Sequence, residues 1–516
     1  MYEKDYWKVK RNKKLFEDIL RQLKKDEYEE TYKIALAQLA LSVASYCPTG
    51  YFYSNTLEKF FIGLAQKYDI DNYNIPYKKG SCLHVMTRAF LYGGHTRVVE
   101  RWIKMFNKTT EQSVVLLEQG EDHIPPQLQE NVKIKNGKLI IFEKSDDIIE
   151  KALKLRKLSL EYEYVVLHTH MEDPIATIAF GTEKFKRPVI LFNHADHMFW
   201  IGKTIADVVL DFRRSKSISA SYRNIYDSKI CTIPIIHKND FLDKLDARKT
   251  LHFPDNSKIL MLSGSSIKFN EVCNDNISDV LEKLFLKMPN LIIILLGVNK
   301  NQKEFQGLKK KYPNNLILKA TVDFNVYKNF VSSVDLVMDS YPCSGCTTLI
   351  DALCANVPYV SLDVIIGQID AITDSVGTCE TKSELVEKTI KILKDNEYCK
   401  NVLQNEKENL SRYSDEKTWC ENLEQIINEL PSKHSLRQIE DINAPCFIND
   451  YSTLLNSMYN INGSSYSKQK KMFFYRYLNV LGILKRISWR YNNIKTVKFL
   501  LFGKSIFCYK KELVKR

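Results

Sequence analysis

Apolar residues recur at helical spacing through the first part of the chain, and no strand pattern appears before Cys82. The amphipathic pattern is longest over Leu15–Val43. Apolar side chains three or four positions apart lie on one face of a helix, so this spacing predicts helices that pack by that face. We therefore expect residues 1–78 to form a helical N-terminal region.

From Cys82 onwards, short apolar runs alternate with helical stretches in two successive series. Runs of this length between polar turns predict buried strands. The first series is Cys82–Met86, Val114–Glu118, Leu139–Phe142, Val165–His168, Val189–Asn193, Val208–Phe212 and Cys231–Ile235. The second series is Ile259–Ser263, Leu291–Val298, Leu316–Ala320, Leu336–Met338 and Pro358–Leu362. The polar segment "HKNDFLDKLDARKTLHFPDNSK" between them predicts a domain connection. Two such series predict an α/β protein with two Rossmann-like domains that face a cleft.

A chain of 516 residues is too long for one ordinary core, which agrees with several domains. We expect a first Rossmann-like domain over residues 79–240 and a second over 241–400. The pattern returns to helix over 382–430, and we assign 401–467 to returning helices and 468–516 to a C-terminal tail.

The tail carries the whole net charge of the chain, which is +13. Residues 468–516 hold fourteen Lys or Arg residues against one acidic residue, Glu512, so the remainder is neutral. Aromatic residues alternate with these cations, a composition typical of a segment that lies on an anionic membrane surface. A helical extension packed on the body is the alternative. A neutral body argues against a nucleic-acid enzyme.

The start "MYEKDYWKVKRNKK" lacks the apolar stretch of a signal peptide, and no run of about 18 uncharged apolar residues occurs. The twelve cysteines are scattered along the chain, as expected of buried thiols in a reducing compartment. The sequence therefore predicts a cytoplasmic protein, peripheral at the inner face of the membrane.

Three features of the second series lie at predicted strand ends. Ser265 and Lys268 follow the first strand in "LSGSSIKFN", and Gly297 ends the second. Small residues there allow a ligand to approach the backbone, and a lysine can bind a phosphate. Ligands bind at this edge of a parallel sheet.

The turn Pro342–Cys346, which includes Gly345, precedes a predicted helix over Thr347–Asn356. Thr347 and Thr348 can offer hydroxyls and N–H groups to a diphosphate at the helix N-terminus. Asp351, one turn on, can accept hydrogen bonds from ribose hydroxyls. An ordinary helix cap with a solvated aspartate is the alternative.

The stretch "DLVMDSYPCSGCTTLIDALCANVPYVSL" (335–362) resembles the donor-binding segment of the O-GlcNAc transferase family. That family has a strand, "D-T-P-x-x-x-G-H-T-T" and then "D-x-L-x-A-G-x-P". The resemblance implies a nucleotide-sugar glycosyltransferase of GT-B architecture, in which the first domain (79–240) binds the acceptor and the second (241–400) binds the nucleotide-sugar. It places Thr347, Thr348 and Lys268 at the donor phosphates and Asp351 at the ribose.

The chain also departs from the family pattern. Cys346 stands where the family has histidine, and Asn356 where it has glycine. Retaining GT-B enzymes often carry two glutamates around this helix, and the corresponding residues here are Cys343 and Asp351. This departure favours an inverting reaction.

In the first series, "MTRAFLYGGHTRVVERW" (86–102) places Gly93 and Gly94 before a predicted helix. This pair resembles the glycine loop that GT-B enzymes place under the donor phosphates, although a simple turn is the alternative.

The segment "FNHADHMFW" (192–200) resembles the position where these enzymes present a histidine to the cleft. Inversion needs a base, and histidine suits that role. We expect His194 to be that base, followed by Asp196 or His197, although each could instead be structural.

Metal or redox chemistry is the weaker interpretation of the remaining motifs. His168, His170, His194 and His197 could surround zinc, and Cys343 and Cys346 form a single CxxC. The GT-B resemblance implies no metal and no cofactor, because such enzymes stabilise the leaving group with helix dipoles and cations.

The sequence therefore predicts an inverting hexosyl- or N-acetylhexosaminyltransferase that uses a nucleotide-sugar, with UDP-sugars expected first. The segment "FLLFGKSIFCYKK" resembles C-terminal stretches of bacterial enzymes that build surface polysaccharide. We expect the acceptor to be a hydroxyl on a bacterial surface glycan or lipid-linked saccharide. The alternatives are a protein O- or N-glycosyltransferase, a UDP-sugar 2-epimerase-like enzyme and a non-catalytic nucleotide-sugar-binding scaffold.

Overall fold

The computed structural model describes residues 3–91, 94–143, 147–213, 219–232, 241–272, 275–364, 366–440 and 444–459. It also describes the backbone of a two-stranded antiparallel pair in the tail, and the rest of the tail lies outside the described residues. No helix within these ranges has the length and apolarity needed to cross a bilayer.

The N-terminal region is helical, as the spacing predicts. Its helices are α1 (Tyr6–Leu23), α2 (Glu30–Tyr46) and α3 (Asn55–Lys67). From Ala35 to Tyr46 nearly every residue of α2 is buried, because this helix is enclosed between its neighbours and the first sheet. The three helices therefore cover one face of that sheet and share its core.

The first sheet has seven parallel strands in the order β3-β2-β1-β4-β5-β6-β7. The strands are β1 (Lys78–Met86), β2 (Glu111–Leu116), β3 (Leu139–Ile141), β4 (Tyr162–His168), β5 (Val189–Phe192), β6 (Val208–Asp211) and β7 (Lys229–Ile230). Its helices are α4 (Gly94–Met105), α5 (Pro126–Ile134), α6 (Ile148–Ser159), α7 (Ile175–Phe180) and α8 (Ser219–Arg223). The strand predicted at Cys231–Ile235 is misplaced: it lies at Lys229–Ile230, and residues 233–235 are outside the described ranges.

The second sheet repeats this topology with six strands in the order β10-β9-β8-β11-β12-β13. The strands are β8 (Ile259–Ser263), β9 (Ile292–Leu296), β10 (Leu316–Lys319), β11 (Leu336–Met338), β12 (Tyr359–Leu362) and β13 (Thr378–Cys379). Its helices are α9 (Lys244–Leu251), α10 (Ser278–Lys287), α11 (Lys303–Lys311), α12 (Phe324–Ser333), α13 (Thr347–Cys354) and α14 (Asp370–Thr373). The predicted connection therefore contains a helix, α9, which Asp243 caps by accepting a hydrogen bond from the Leu245 N–H.

The predicted returning helices are present as α15 (Lys382–Lys394), α16 (Asn396–Ser414) and α17 (Glu416–Asn428). Helix α17 packs back on the first domain. The Trp419 ring lies 5.9 Å from that of Trp102, and its Nε1 donates to the Thr232 carbonyl at 2.9 Å. A last described helix, α18 (Asp450–Tyr459), packs beside α1.

Each sheet reverses its winding direction at one point, between β1 and β4 in the first sheet and between β8 and β11 in the second. A crevice opens there at the carboxyl ends of the strands, because successive crossovers leave on opposite sides. The predicted site residues lie around these two switch points.

Candidate active site

A cavity of about 330 Å³ opens at the switch point of the second sheet and is lined by both domains. We call it the cleft cavity. The first domain contributes Leu91, Gly94 and Arg97. The second contributes Ser263, Gly264, Ser265, Lys268, Leu296, Gly297, Thr321, Val322, Phe324, Tyr327, Gly345, Thr347, Thr348 and Asp351. Every residue predicted to bind the donor lines this cavity except Gly93, which lies outside the described residues.

The backbones at the ends of β8 and β9 come so close together that Gly297 has no room for a side chain. Gly297 has φ +89°, and a Cβ built on it would lie 2.4 Å from the Gly264 carbonyl oxygen. Any side chain here would displace the neighbouring strand end. Bare backbone therefore forms this wall of the cleft cavity.

The turn before α13 is held by a carboxylate that sequence analysis did not single out. Asp339 is buried, and its Oδ1 accepts from the N–H groups of Ser340 at 2.8 Å and Gly345 at 2.6 Å. Lys268 Nζ donates to the Ser344 carbonyl at 2.6 Å. These bonds place the start of α13, with Thr347, at the cavity wall. Asp339 could have been noticed as an acidic residue directly between a strand and a small-residue turn.

The first turn of α13 has the electrostatics of an anion site. The first N–H groups of a helix have no acceptor within the helix, and they stand at the positive end of its dipole. Thr347 and Thr348 belong to that turn and line the cavity together with Lys268. The arrangement can hold a negatively charged group such as a diphosphate.

Asp351 lines the cavity but is also bound by groups of both domains. Its Oδ1 accepts from Arg101 at 3.0 Å, and its Oδ2 accepts from the Tyr327 hydroxyl at 3.2 Å. Burial raises the pKa of Asp351, and the Arg101 charge opposes that rise. Its predicted contact with a ribose stays a prediction.

Arg97 brings a cation from the first domain to the same cavity. Its guanidinium lies 3.5 Å from the centre of the Phe324 ring and donates to Glu100 at 3.0 Å. Arg97 and Arg101 were not predicted. Their spacing of four residues, one helical turn, in "GGHTRVVERW" was the available signal.

The predicted base, His194, follows β5 and belongs to a row of histidines. Its Nε2 lies 2.8 Å from His168 Nδ1, and its ring centre lies 4.4 Å from that of His95. Burial, together with the nearby His95 and His170, lowers the pKa of His194 well below its usual value. The side chain is half-buried and lines a second pocket of about 20 Å³ together with Trp200. His194 is not among the residues that line the cleft cavity, so its role as the base stays a prediction.

The other two candidate bases lie on the same loop in different surroundings. Asp196 is 2% exposed and accepts from Arg223 at 3.3 Å and Asn193 at 3.2 Å. These are the contacts of a structural ion pair, and its role as a base stays a prediction. Burial, aided by the charge of Arg213, lowers the pKa of His197 to about 3.

Within the described ranges, no group of three or more His, Cys, Asp or Glu side chains is arranged to hold a metal ion. Cys343 and Cys346 are free thiols. Burial raises the pKa of Cys346 to about 11, and it also raises the pKa of Cys343. Such thiols are poor nucleophiles, because the thiolate is the reactive form.

No family model matches the sequence, and a search of curated proteins found no match. Solved structures do match. A glycosyltransferase from Rickettsia africae is 12% identical with a TM-score of 0.52, over 68% of this chain and 99% of that one. Anabaena Alr3699/HepE, solved with UDP-glucose, is 14% identical with a TM-score of 0.51, over 68% of this chain and all of that one. Thermobaculum terrenum O-GlcNAc transferase matches at 12% identity and a TM-score of 0.46, over 81% of each chain.

The Rickettsia africae enzyme and HepE, whose TM-scores exceed 0.5, agree with the architecture described above. Both span about two thirds of this chain, which is enough for the two parallel sheets and their helices. The chain therefore has the GT-B fold in common with these proteins.

Proposed function

We propose that this protein is a GT-B glycosyltransferase that moves a sugar from a nucleotide-sugar to a hydroxyl-bearing acceptor. The observation that carries the proposal is the cleft cavity. There, the bare backbone at Gly297, the Lys268 ammonium and the first turn of α13 converge with Arg97 from the opposite domain. Such a convergence suits a diphosphate placed between two domains.

UDP-sugars are the first donors to test. HepE, which shares the fold, was solved with UDP-glucose, and the segment 335–362 resembles the donor-binding segment of UDP-sugar enzymes. Phe324 and Tyr327 line the cavity beyond β10, and their rings stack at 5.9 Å. This aromatic wall supports a nucleoside at that end of the cavity, with Asp351 near its ribose.

The proposed reaction is an inverting transfer with His194 as the base, followed by His197 or Asp196. The acceptor oxygen attacks the anomeric carbon while His194 takes its proton and the nucleoside diphosphate leaves. Burial lowers the pKa of His194, which keeps the ring neutral at neutral pH and also makes it a weaker base. The buried thiol of Cys343 at the position of a retaining enzyme's glutamate supports inversion.

The acceptor in this proposal is a surface glycan or lipid-linked saccharide rather than a protein. Its support is the composition of residues 468–516, which can attach the enzyme to an anionic membrane at the cytoplasmic face.

A donor screen tests the proposal. Full-length protein is incubated with UDP-, GDP- and CMP-sugars, with and without lipid-linked saccharides, and the release of nucleotide is measured. We expect UDP release, and we expect Lys268→Ala to weaken donor binding about 10- to 100-fold, the usual effect of losing a charged hydrogen bond. Lys300→Ala is the matched control, because Lys300 is an exposed lysine of the same domain.

The other outcomes separate the alternatives. Release of free epimerised UDP-sugar without acceptor would assign an epimerase, and binding without turnover would assign a scaffold. If no nucleotide-sugar binds, the proposed function is rejected.

A further inference from the structure

A line of hydrogen-bonded side chains runs from the interior of the first domain to His194, and its inner end is Gln112 on β2. The Gln112 amide nitrogen donates to the Phe106 carbonyl at 2.8 Å and faces the Ile103 carbonyl at 3.4 Å. These two carbonyls fix the orientation of the amide, so that its oxygen points to His84 Nε2 at 3.2 Å. Because an amide oxygen only accepts, the proton of His84 must be on Nε2.

The tautomer of His84 determines in turn that of His168. His84 is fully buried, and burial lowers its pKa to about 4, so the ring is neutral and its Nδ1 carries a lone pair. That lone pair faces His168 Nε2 at 3.1 Å, which must therefore carry a proton. His168 is also fully buried, and burial lowers its pKa well below the usual value, so its Nδ1 can only accept.

The last link determines the tautomer of His194. His168 Nδ1 accepts from His194 Nε2 at 2.8 Å, so the proton of a neutral His194 is on Nε2 and its lone pair is on Nδ1. Among the residues that the structure describes, this Nδ1 has no hydrogen-bond partner, and the ring lines the pocket of about one water's volume beside Trp200. His95 fixes the stack from the side, because its Nε2 donates to the His168 carbonyl at 2.8 Å.

We propose that Gln112, His84 and His168 are positioning residues that hold His194 in the Nε2–H tautomer, with the free lone pair on Nδ1. The strand geometry supports this arrangement. His84 and His168 lie on β1 and β4, which pair at the switch point, and His194 follows β5, the next strand. The three rings therefore cross the ends of adjacent strands.

The catalytic consequence rests on the proposed function, whereas the tautomer does not. In the transfer step, the acceptor O–H bond breaks and its proton goes to His194 Nδ1. The oxygen forms the new bond to the anomeric carbon, and the bond from that carbon to the phosphate oxygen breaks with its electron pair on the nucleotide. The proton then leaves from His194 to water, because the line ends at an amide, which is too weakly basic to take a proton.

The tautomer is tested directly by NMR on full-length protein labelled with ¹⁵N-histidine. Two-bond correlations between ring protons and nitrogens distinguish the two neutral tautomers and the imidazolium, and single histidine substitutions assign the signals. We expect His84, His168 and His194 all to be Nε2–H at neutral pH. A Nδ1–H tautomer or an imidazolium at His194 would overturn the proposal.

Two isosteric variants test the consequence. His84→Asn keeps an oxygen that can accept a hydrogen bond from His168. His84→Leu introduces a side chain of about the same size as asparagine that cannot accept one. We expect His84→Leu to lower kcat about tenfold or more with donor KM unchanged, since part of His194 adopts the unproductive tautomer, and His84→Asn to retain kcat. Equal kcat in both variants, with His194 still Nε2–H, would overturn the positioning role.

Failure of one proposal is distinguishable from failure of the other. If the protein transfers no sugar but His194 is Nε2–H, the proposed function fails and the tautomer inference stands. If His84→Leu does not fold, Gln112→Leu removes the acceptor of His84 one link further from His194. We expect His194 to lose part of its Nε2–H tautomer in that variant, and an unchanged tautomer with unchanged kcat would overturn the positioning role.

Discussion

Arg101 and Asp351 form an ion pair of 3.0 Å between the two domains, with side chains that are only 5% and 9% exposed. Arg101 lies on α4 of the first domain and Asp351 on α13 of the second. The pair therefore fixes the spacing of the two helices on either side of the cleft cavity. A donor that contacts Asp351 would bind beside this pair.

Removing one partner of this pair should destabilise the protein. We expect Asp351→Ala to lower the free energy of unfolding by about 3–5 kcal/mol, because the Arg101 charge is left buried without a carboxylate. Urea denaturation measures the change. The double variant Arg101→Met/Asp351→Leu should recover part of the loss. If the destabilisation of the double variant equals the sum of those of the two single variants, the two charges are not coupled in solution.

The same carboxylate is predicted to contact the donor. Asp351→Asn keeps the side-chain volume and removes the charge, and we expect it to weaken UDP-sugar binding by about 1.5–3 kcal/mol. Calorimetry on the folded variant measures this, with Asp255→Asn as an exposed control in the same domain. Unchanged affinity would remove Asp351 from the donor site.

His194 should affect turnover rather than donor binding. We expect His194→Ala to lower kcat by about 100-fold or more, the usual contribution of a general base, with donor affinity unchanged. His123→Ala serves as the control, since His123 is exposed. Full activity in His194→Ala would transfer the role of base to His197 or Asp196.

Glu406 on α16 makes the stability depend on pH. Burial raises its pKa from 4.5 to about 8, although it accepts from the Tyr359 N–H at 2.9 Å and the Ser375 hydroxyl at 3.1 Å. Between pH 4.5 and 8 the unfolded chain ionises this group while the folded protein keeps it protonated. The folded state then binds the extra proton, so the contribution of Glu406 to stability falls as pH rises through this window.

Glu406→Gln tests this dependence, because the amide is neutral at every pH and can make both hydrogen bonds. We expect the variant to gain stability relative to the parent protein between pH 5 and 8, with little difference near pH 4. Denaturant titrations at several pH values measure the gap. A gap that does not change with pH would contradict the raised pKa.

Attachment to membranes should depend on residues 468–516. Since the remainder of the chain is neutral, we expect the full-length protein to sediment with anionic vesicles at low salt and less at high salt. Phe473, Phe474, Trp489, Phe499 and Phe502 are the aromatic residues expected to insert at the level of the headgroups. Truncation before Lys468 should abolish sedimentation and leave donor binding intact. Equal sedimentation of both proteins would make the tail a structural extension.

The elements of the fold could largely be predicted from local patterns. The strand at Ile259–Ser263 has its predicted bounds because a fully buried strand is a continuous apolar run between polar turns. The two-residue strand β13 and the helix α9 were missed. The first is too short to show a period, and the second has few apolar residues to mark its buried face.

Several residues that line the cleft cavity could also be predicted to lie there, because position at or just after a strand end is a property of the local sequence. Lys268, Thr347 and Asp351 all follow this rule and line the cleft cavity. What the sequence by itself determined was therefore the set of strands and helices and the residues at the ends of the strands in the second domain.

Only the tertiary structure decided which distant residues meet. Arg101 and Asp351 are 250 positions apart, and the partnership between Gln112 and His84 exists because β2 pairs with β1. Local spacing carries no information on such pairs. The burial that lowers the pKa of His84 arises when the strands pack into a sheet, and the ion pair of Asp351 arises when the two domains pack together. The chemistry of the site is set by those long-range contacts.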